Sequence, residues 1–485
     1  MTKLLTSLLL AAALGATSAD LSKVKTSATS KHFYDEHGRA LIFHGANRVW
    51  KGEPWYFQNQ VDNTLEYEMF KKLGFNVVRL GYMWSGVEPN EGEFNSTYTD
   101  IVEGITGKFA DAGVYTLFDL HEDILSSKYC LYDGAPLWLV EKSEPKHDFP
   151  WPLQGNCSSR GWMKNAFAQA PQQAYQDIYD NNHGMLDSLI NMWAHTADRF
   201  KGNTNIIGYE VMNEPFAGDT YSDPTLFLPG IAGKKNLARM NEAVAKAIRA
   251  VDEDAVVFFE PVTWGMIFDG DIAGSGYDQV PGGEEFKDRS VFSYHYYCST
   301  FSPSYNTKPF MQRVVCDKTV GPLVFKAVEE DLAKFGGSAM MTEGMACGED
   351  DMDECVNVSN LLDSHLFSFT DYGSSQGSTF EPSETQQYYW ARSYARATAG
   401  EPISMTFDIN SENKAFDYCY SLNVEIDEPT EVFASSIFHY INGAEVTIDG
   451  NVEAVESGDA DLYWFKKTAA ATEGEKICIK MTTKK

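Results

Sequence analysis

Short apolar runs alternate with amphipathic stretches about eight times between residues 41 and 399, and this alternation constrains the fold more than any other feature of the sequence. The apolar runs have the length and composition of buried strands, while the amphipathic stretches have the spacing of surface helices. Alternating strands and helices form parallel sheets, and eight such units close into a (β/α)8 barrel, also called a TIM barrel. The sequence therefore predicts an α/β fold built on this barrel.

The predicted elements follow one another along the chain. Strands are predicted at 41–47, 77–80, 115–120, 206–212, 256–259, 291–294 and 339–344, with the last one within 361–369. Helices are predicted at 65–73, 98–112, 186–200, 236–251, 324–335 and 387–399. The insertion 124–182 is too long for a plain βα loop. We expect it to carry substrate contacts over the barrel mouth, with a surface ornament as the alternative.

From about residue 402 the pattern changes to apolar residues at every second position, without helical spacing. Such short alternating runs separated by Asn-Gly and Asp-Gly turns are typical of a small β-sandwich. The predicted domains are therefore a signal peptide over residues 1–19, the barrel over 20–401 and a C-terminal β-sandwich over 402–485.

The N-terminal segment predicts export from the cytoplasm. Lys3, the apolar run 4–14 and the small residues before position 20 form a secretory signal pattern. We expect a secreted protein, outside the cell or in the lumen of the secretory or lysosomal pathway, in which disulfides can form. The eight cysteines suggest the pairs Cys130/Cys157, Cys298/Cys316, Cys347/Cys355 and Cys419/Cys478, with other connectivities open. Sequons at Asn95, Asn156 and Asn357 permit N-glycosylation.

Charge limits the possible partners. The net charge of −30 argues against nucleic acid and anionic membranes, since both would be repelled. After the leader, no apolar run approaches the roughly 20 residues of a membrane span. These properties suit an enzyme that acts on a neutral substrate.

Two glutamates at the ends of predicted barrel strands are the candidate catalytic pair. Glu214 follows the strand 206–212, and Glu343 ends the strand 339–344. The carboxyl ends of barrel strands meet at one face, where substrates bind. Glycoside hydrolysis needs one protonated and one ionised carboxyl group, and this pair meets that need. A metal site is the alternative, but no His-rich ligand pattern accompanies the pair, so neither a metal nor another cofactor is predicted.

The polar residues at strand ends resemble those of glycoside hydrolase family 5 over residues 32–400. The matching positions are, in chain order, Arg79, His121, Asn213, Glu214, His295, Tyr297 and Glu343. Within that family, the stretches 119–123, 134–138 and 293–298 are similar to the endoglycoceramidase branch, whose members cleave the bond between glycan and ceramide and carry a C-terminal β-sandwich. The resemblance implies a glycosphingolipid or another β-glycoside as substrate, with transient contact to lipid surfaces.

The resemblance also implies a retaining mechanism. Glu343 is expected to attack the anomeric carbon, and Glu214 to protonate the leaving oxygen and then activate water, with the carboxyl groups about 5–5.5 Å apart. We expect Arg79 to lower the pKa of Glu343 and the charge of Glu343 to raise the pKa of Glu214. The predicted substrate-binding residues are Lys51, Arg79, His121, Asp123, Trp162, Asn213, His295, Tyr297 and Tyr372.

Two positions depart from the family pattern. Glu122 stands where the branch usually has Gln, and Tyr372 stands where family members usually have Trp at the end of the last strand. We expect Tyr372 to replace that Trp as a platform for the sugar ring, with loss of the platform as the alternative.

A ceramide leaving group would need an apolar surface beside the acid, and residues that follow two catalytic strands could form it. The candidates are Leu137, Trp138, Leu139, Phe216, Phe227 and Leu228, each of which could instead pack in the core. Without such a surface, the alternative is a secreted β-glucanase or β-glucosidase that acts on polysaccharide or another β-glucoside. A catalytically dead glycan-binding protein is a further alternative, disfavoured because every acid and base of the mechanism is present.

Overall fold

A closed barrel of eight parallel strands and two antiparallel sheets organise the chain. The computed structural model describes residues 21–130, 134–160, 162–264, 274–297, 310–345, 347, 352–373 and 377–484. In chain order, the strands are β1 (Lys25–Thr26), β2 (Phe33–Tyr34), β3 (Ala40–Leu41), β4 (His44–Arg48), β5 (Val77–Gly81), β6 (Tyr115–Asp119), β7 (Ile206–Glu210), β8 (Val257–Phe259), β9 (Ser290–Tyr296), β10 (Ser338–Gly344), β11 (Ser368–Asp371), β12 (Tyr394–Thr398), β13 (Gly400–Phe407), β14 (Phe416–Leu422), β15 (Thr430–Phe433), β16 (Ala444–Asp449), β17 (Val452–Val455), β18 (Leu462–Lys467) and β19 (Lys476–Thr483).

Strands β4 to β11 form the barrel, each pairing in parallel with the next, and β11 closes it against β4 through the Phe369 and His44 pair. The α-helices of the described residues are Gln58–Asp62, Leu65–Lys72, Trp84–Val87, Ser96–Asp111, Leu137–Val140, Trp162–Ala166, Gln169–Tyr179, Met185–Phe200, Ala238–Val251, Phe310–Val315, Gly321–Phe335, Met352–His365 and Glu384–Trp390. The predicted α/β barrel followed by a β-sandwich is confirmed.

Three predicted elements are wrong in part. The first strand, predicted at 41–47, is divided into β3 and β4, which belong to different sheets. The last barrel strand begins only at Ser368, because residues 361–365 complete the helix Met352–His365. The closing helix, predicted at 387–399, ends at Trp390, and β12 follows between β3 and β15. Pairing on both edges of β12 overrides the helix propensity of its Ala and Arg residues.

The inside of the barrel is apolar at the bottom and charged at the top. Val77 on β5 and Leu117 on β6 belong to a buried apolar cluster with Phe33 of β2, whose ring closes the bottom of the barrel against Phe258. Because alternate residues of a strand face the same side, Arg79 and Asp119 lie one layer higher on the same two strands. Both are fully buried, and they begin the polar layer that becomes the site.

Two antiparallel sheets form the C-terminal sandwich around a shared core that includes Phe416 and Ile479 from one sheet and Val432 and Phe465 from the other. The N-terminal strands β1 to β3 extend the sheet that contains Val432 and Phe465, an addition that the sequence pattern did not predict. The predicted domain boundary at 401/402 falls inside β13, and the division into domains stays a prediction.

A close contact between barrel and sandwich occurs at Gly74, directly after the helix Leu65–Lys72. Gly74 has φ +73°, and a Cβ atom there would lie 2.4 Å from the ring of Phe433. The Tyr394 hydroxyl donates a hydrogen bond of 2.6 Å to the Gly74 carbonyl. Glycine at this position therefore ends the helix and leaves room for the second domain.

Three of the four predicted disulfides are present, namely Cys130–Cys157, Cys347–Cys355 and Cys419–Cys478. The fourth prediction involves Cys298, which lies outside the described residues. The first disulfide closes a loop within the insertion 124–182, and the last joins the paired strands β14 and β19. None of the described helices is long and apolar enough to cross a membrane.

Candidate active site

The fully buried side chain of Arg79 organises the upper end of the barrel. Its nitrogens lie 2.5 Å from Glu210, 3.0 Å from Asp119, 3.1 Å from Glu343 and 3.3 Å from Glu260. Each acid belongs to a different strand or strand end, so one guanidinium connects β5 with four other strands. Burying so many carboxyl groups is tolerable only because they share this cation.

Glu343 ends the interior face of β10 and has two close partners. The Tyr297 hydroxyl donates to its Oε1 at 2.8 Å, and Arg79 donates to its Oε2 at 3.1 Å. Both bonds favour an ionised carboxylate. The carboxylate therefore has fixed donors on both oxygens at the centre of the mouth.

Glu214 lies opposite, in the loop that follows β7. Oxygens of Glu214 and Glu343 and a nitrogen of His295 all lie within 4.8 Å of one another. His295 Nδ1 is 2.9 Å from Glu214 Oε1, and the Glu214 backbone N–H donates to Glu260 Oε2 at 3.0 Å. Glu214 has φ +40°, a left-handed conformation that is unusual for a residue other than glycine.

Burial dominates the protonation of both acids. Burial first, and then the negative charge of Asp123, raises the pKa of Glu214 to about 8. Burial also raises the pKa of Glu343 to about 7, with His295 and Arg79 acting in the opposite direction. Arg79 lowers the pKa of Glu343 as expected, but desolvation outweighs the cation and the net shift is upward. Burial is the main cause of the higher pKa of Glu214, and repulsion between the Glu214 and Glu343 carboxylates also opposes ionisation, as expected.

One side of the mouth is polar. Lys51, after β4, forms a largely buried ion pair with Asp123, after β6. Although burial opposes ionisation, Lys51 holds the pKa of Asp123 below its usual range. His121 Nδ1 forms a hydrogen bond of 2.7 Å with Asp119 Oδ2. The ring of His121 is stacked on that of Tyr372, with the ring centroids 6.1 Å apart. Four predicted substrate-binding residues thus lie together.

The remaining predicted site residues are placed as follows. The Asn213 amide accepts from Arg79 at 2.9 Å and donates to the Glu122 carbonyl at 2.9 Å, which fixes its orientation at the site. Trp162 begins the helix Trp162–Ala166, but its side chain lies outside the described part of the structure.

The other side of the mouth is apolar. The loops after β7 and β8 are joined by a bond from Thr263 N–H to the Pro215 carbonyl. Beyond this bond lies a continuous set of aromatic rings formed by Phe216, Trp264, Phe227 and Phe167. The centroids of neighbouring rings in this set are at most 6.3 Å apart. The Tyr221 hydroxyl donates a hydrogen bond to the Phe167 backbone carbonyl, and the ring of Trp151 packs against the ring of Tyr221. We call these six aromatic residues, of which Phe216 is buried beneath the others, together with Leu228 the apolar strip.

The six residues predicted to line such a surface do not all lie there. Phe216 and Leu139 are buried, so they contribute packing rather than exposed surface. Trp138 packs edge to face on Trp84 and donates its indole N–H to the Glu88 carbonyl, which makes it part of the barrel shell. Leu137, Phe227 and Leu228 are exposed. Of the six predicted residues, the loop after β7 therefore supplies two exposed side chains and the insertion supplies one.

Two groups of described residues have a spacing that could hold a metal ion, one with Glu210, Glu260 and His295 and one with Glu214, His295 and Glu343. Arg79 contacts Glu210 and Glu260 in the first group and Glu343 in the second, so a fixed cation already lies beside the carboxyl groups of both. This ion-pair network accounts for their proximity.

Comparisons with known proteins agree with this geometry. Family models match twice, for cellulase (glycosyl hydrolase family 5) over residues 34–372 and for the glycoside hydrolase family 5 C-terminal domain over residues 392–481. The chain is 32% identical to the endoglycoceramidase of Cyanea nozakii over 463 residues, which are 88% of this chain and 87% of that protein. The endoglycoceramidase of Hydra vulgaris is also 32% identical, over 87% of this chain and 83% of its own length. The chain belongs to the endoglycoceramidase branch of glycoside hydrolase family 5.

Solved structures of this family share the fold. Endo-glycoceramidase II from Rhodococcus sp. in complex with ganglioside GM3 has a TM-score of 0.76 at 20% identity, and the match covers 94% of this chain and all of that one. Its lactosyl-enzyme intermediate matches with a TM-score of 0.75 at 19% identity, over 94% of this chain and 100% of the other. The predicted family and branch are confirmed, and the protein is a glycoside hydrolase.

Four partners of Arg79 in this family 5 site were not predicted from the sequence, namely Asn47, Asp119, Glu210 and Glu260. Glu210 and Asp119 are single acids inside apolar runs, where a buried charge without a partner would be costly. Glu260 had a usable signal, because Glu260-Pro261 after β8 repeats the Glu214-Pro215 pattern after β7.

Glu122, the departure from the branch pattern, points away from the mouth. Its carboxylate accepts hydrogen bonds from the Leu125 N–H at 2.6 Å and the Tyr175 hydroxyl at 2.7 Å. Tyr175 belongs to the helix Gln169–Tyr179, so Glu122 anchors the insertion to the barrel.

Proposed function

We propose that this family 5 enzyme cleaves the β-glycosidic bond between glycan and ceramide in glycosphingolipids with retention of configuration. Glu343 is the nucleophile and Glu214 is the acid and base. In the first step Glu343 bonds to the anomeric carbon while Glu214 gives its proton to the leaving ceramide oxygen. In the second step Glu214 takes a proton from water, which displaces Glu343.

The spacing of the two acids supports retention. Retaining enzymes place the carboxyl groups roughly 5–5.5 Å apart, whereas inverting enzymes need roughly 6.5–9.5 Å to accommodate a water molecule. Oxygens of Glu214 and Glu343 lie within 4.8 Å, which favours direct attack by a carboxylate.

The order of the two pKa values supports the roles. The carboxyl group with the higher pKa, that of Glu214 at about 8, is the one that starts protonated. Glu343 has a pKa of about 7 and bonds from Arg79 and Tyr297, so it is the one that ionises first. Once Glu343 has formed its ester, its charge is gone and Glu214 gives up its proton more readily.

The ceramide assignment rests on the difference in polarity between the two sides of the barrel mouth. Lys51, Asp123, His121, Asn213 and Tyr372 are suited to hydroxyl groups and the face of a sugar ring. The apolar strip follows β7 and β8, and β8 is opposite β4, which carries Lys51, in a barrel of eight strands. Exposed apolar patches of this kind mark binding sites on proteins, and a polysaccharide would gain little from one.

The relatives support the same substrate class, since two of them are endoglycoceramidases and one solved structure holds ganglioside GM3.

Secretion also belongs to this proposal. It is supported by the signal pattern at residues 1–19 and by disulfides in both domains. Expression of the full chain should yield an exported protein that begins after Ala19.

The direct test is hydrolysis of a glycosphingolipid beside a soluble cello-oligosaccharide. We expect release of the intact glycan and free ceramide from the lipid, with retained anomeric configuration by NMR, and little cleavage of the oligosaccharide. Preferred cleavage of the cello-oligosaccharide would replace the ceramide assignment with the β-glucanase alternative, and an inverted product would exclude the retaining roles.

A further inference from the structure

A third glutamate contacts the proposed acid and base from behind. Glu260, directly after β8, is almost completely buried and accepts the backbone N–H of Glu214 on Oε2 at 3.0 Å. The left-handed conformation of Glu214, φ +40°, costs energy for a residue with a side chain and needs support from its surroundings. The Glu260 carboxyl group supplies part of this support by accepting the Glu214 N–H.

The second oxygen of Glu260 faces His295. Oε1 is 3.4 Å from His295 Nε2, and His295 Nδ1 is 2.9 Å from Glu214 Oε1. The Nε2 atom is buried, and Glu260 Oε1 is the acidic oxygen within reach of it. The imidazole of His295 thus lies between the carboxyl groups of Glu260 and Glu214, with one ring nitrogen facing each.

We propose that Glu260 is a positioning residue whose protonated carboxyl group donates to His295 Nε2, so that His295 Nδ1–H donates to Glu214 Oε1. The proposal rests on the role of Glu214 as acid and base. With Oε1 occupied as an acceptor, the transferable proton of Glu214 resides on Oε2. His295 neither gains nor loses a proton during the reaction, since it only holds this arrangement.

The charges around Glu260 agree with a protonated carboxyl group. It faces Arg79 at 3.3 Å and His295, and three further acids, Glu210, Glu214 and Asp119, lie in the same layer. Burial and then Glu210 raise the pKa of Glu260 well above its usual value, against the opposing charge of Arg79. Burial also lowers the pKa of His295, which favours the neutral imidazole that the proposal requires.

The test compares Glu260→Gln with Glu260→Ala on two substrates. A Gln side chain can accept the Glu214 N–H with its carbonyl and donate to His295 with its amide, but it cannot ionise. Tyr277→Phe is the matched control, because the Tyr277 hydroxyl donates to the backbone carbonyl of Glu260 at 2.5 Å and accepts from the Asn241 amide at 3.1 Å, so this change reaches Glu260 through its backbone. The substrates are a glycosphingolipid and a dinitrophenyl β-glycoside of the same glycan, whose leaving group needs no proton. Thermal melting reports on folding.

We expect Glu260→Ala to lose about 100-fold in kcat/KM on the glycosphingolipid and less than about tenfold on the dinitrophenyl glycoside, because general-acid catalysis is worth about 10²–10⁴-fold. Glu260→Gln should stay within about threefold of the parent enzyme on both substrates, and Tyr277→Phe should show no dependence on the leaving group. If Glu260→Gln loses as much as Glu260→Ala, the charged carboxylate is required and the proposal is wrong.

Parallel measurement of Glu214→Gln separates this proposal from the function on which it rests. Dependence on the leaving group in Glu214→Gln but not in Glu260→Ala would overturn the role of Glu260 alone. Absence of that dependence in both variants would overturn the assignment of Glu214 and, with it, the proposal for Glu260.

Discussion

The two sides of the barrel mouth differ in both polarity and exposure. On the polar side, Lys51 and Asp123 are held almost out of solvent by their ion pair, so their donors and acceptors are oriented before any substrate arrives. On the apolar side, Phe227 and Leu228 remain about half exposed. Rigid polar groups select one arrangement of hydroxyl groups, whereas an exposed apolar surface accepts any chain that removes it from water. We therefore expect glycan specificity and lipid specificity to be separable in this enzyme.

The largest effect is expected at Glu343, which lies between the two sides. Glu343→Gln should reduce kcat on the order of 10⁴–10⁶-fold on the glycosphingolipid and on the aryl glycoside alike, because both substrates need the nucleophile. Steady-state rates on the two substrates measure this. A variant that kept activity on either one would show that the sides do not share one catalytic centre.

A smaller loss, still common to both substrates, is expected at Lys51. Lys51→Met removes a charged donor and leaves Asp123 buried without its cation, at a cost of about 1.5–3 kcal/mol, or roughly 10- to 150-fold in kcat/KM. The measurement is kcat/KM on the glycosphingolipid and the aryl glycoside of the same glycan. A loss confined to the lipid would contradict the assignment of Lys51 to the sugar side.

The pH profile sharpens the role of the polar side. Activity requires Glu343 ionised and Glu214 protonated, so kcat/KM should rise with pH up to the Glu343 pKa of about 7 and fall above the Glu214 pKa of about 8. Asp123 contributes to the raised pKa of Glu214, so Asp123→Asn should move the alkaline limb to lower pH. An unchanged alkaline limb in that variant would contradict the electrostatic contact.

Local patterns explain what the sequence could predict. The barrel strands and the acids at the ends of β7 and β10 follow from periodicity and from the convergence of strand ends, both of which are visible along the chain. Glu260 shares with Glu214 a Glu-Pro pattern at a strand end, but its importance depends on Arg79, His295 and Glu214 arriving from three other strands. The net rise in the pKa of Glu343 could not be predicted for the same reason, since desolvation depends on everything that surrounds the group.

Long-range pairing explains the errors in the fold. The stretch that forms β12 has a composition that suits a helix, and only its position between β3 and β15 makes it a strand. Similarly, the short runs at β1 and β2 carry too few residues to signal a sheet by themselves. Elements that depend on distant partners are those that pattern analysis misses.

The separation of the two sides is tested most directly by Leu228→Asp, measured beside Ile441→Asp. Leu228 is 56% exposed at the apolar strip, and Ile441 is 73% exposed on the C-terminal domain, so both changes place a charge on the surface and only one lies near the mouth. Because burying a large apolar side chain is worth about 1.5–3 kcal/mol, Leu228→Asp should lower kcat/KM for the glycosphingolipid about tenfold and leave the aryl glycoside within about twofold. Ile441→Asp should change neither. Equal losses on both substrates for Leu228→Asp, or no loss on either, would contradict the account.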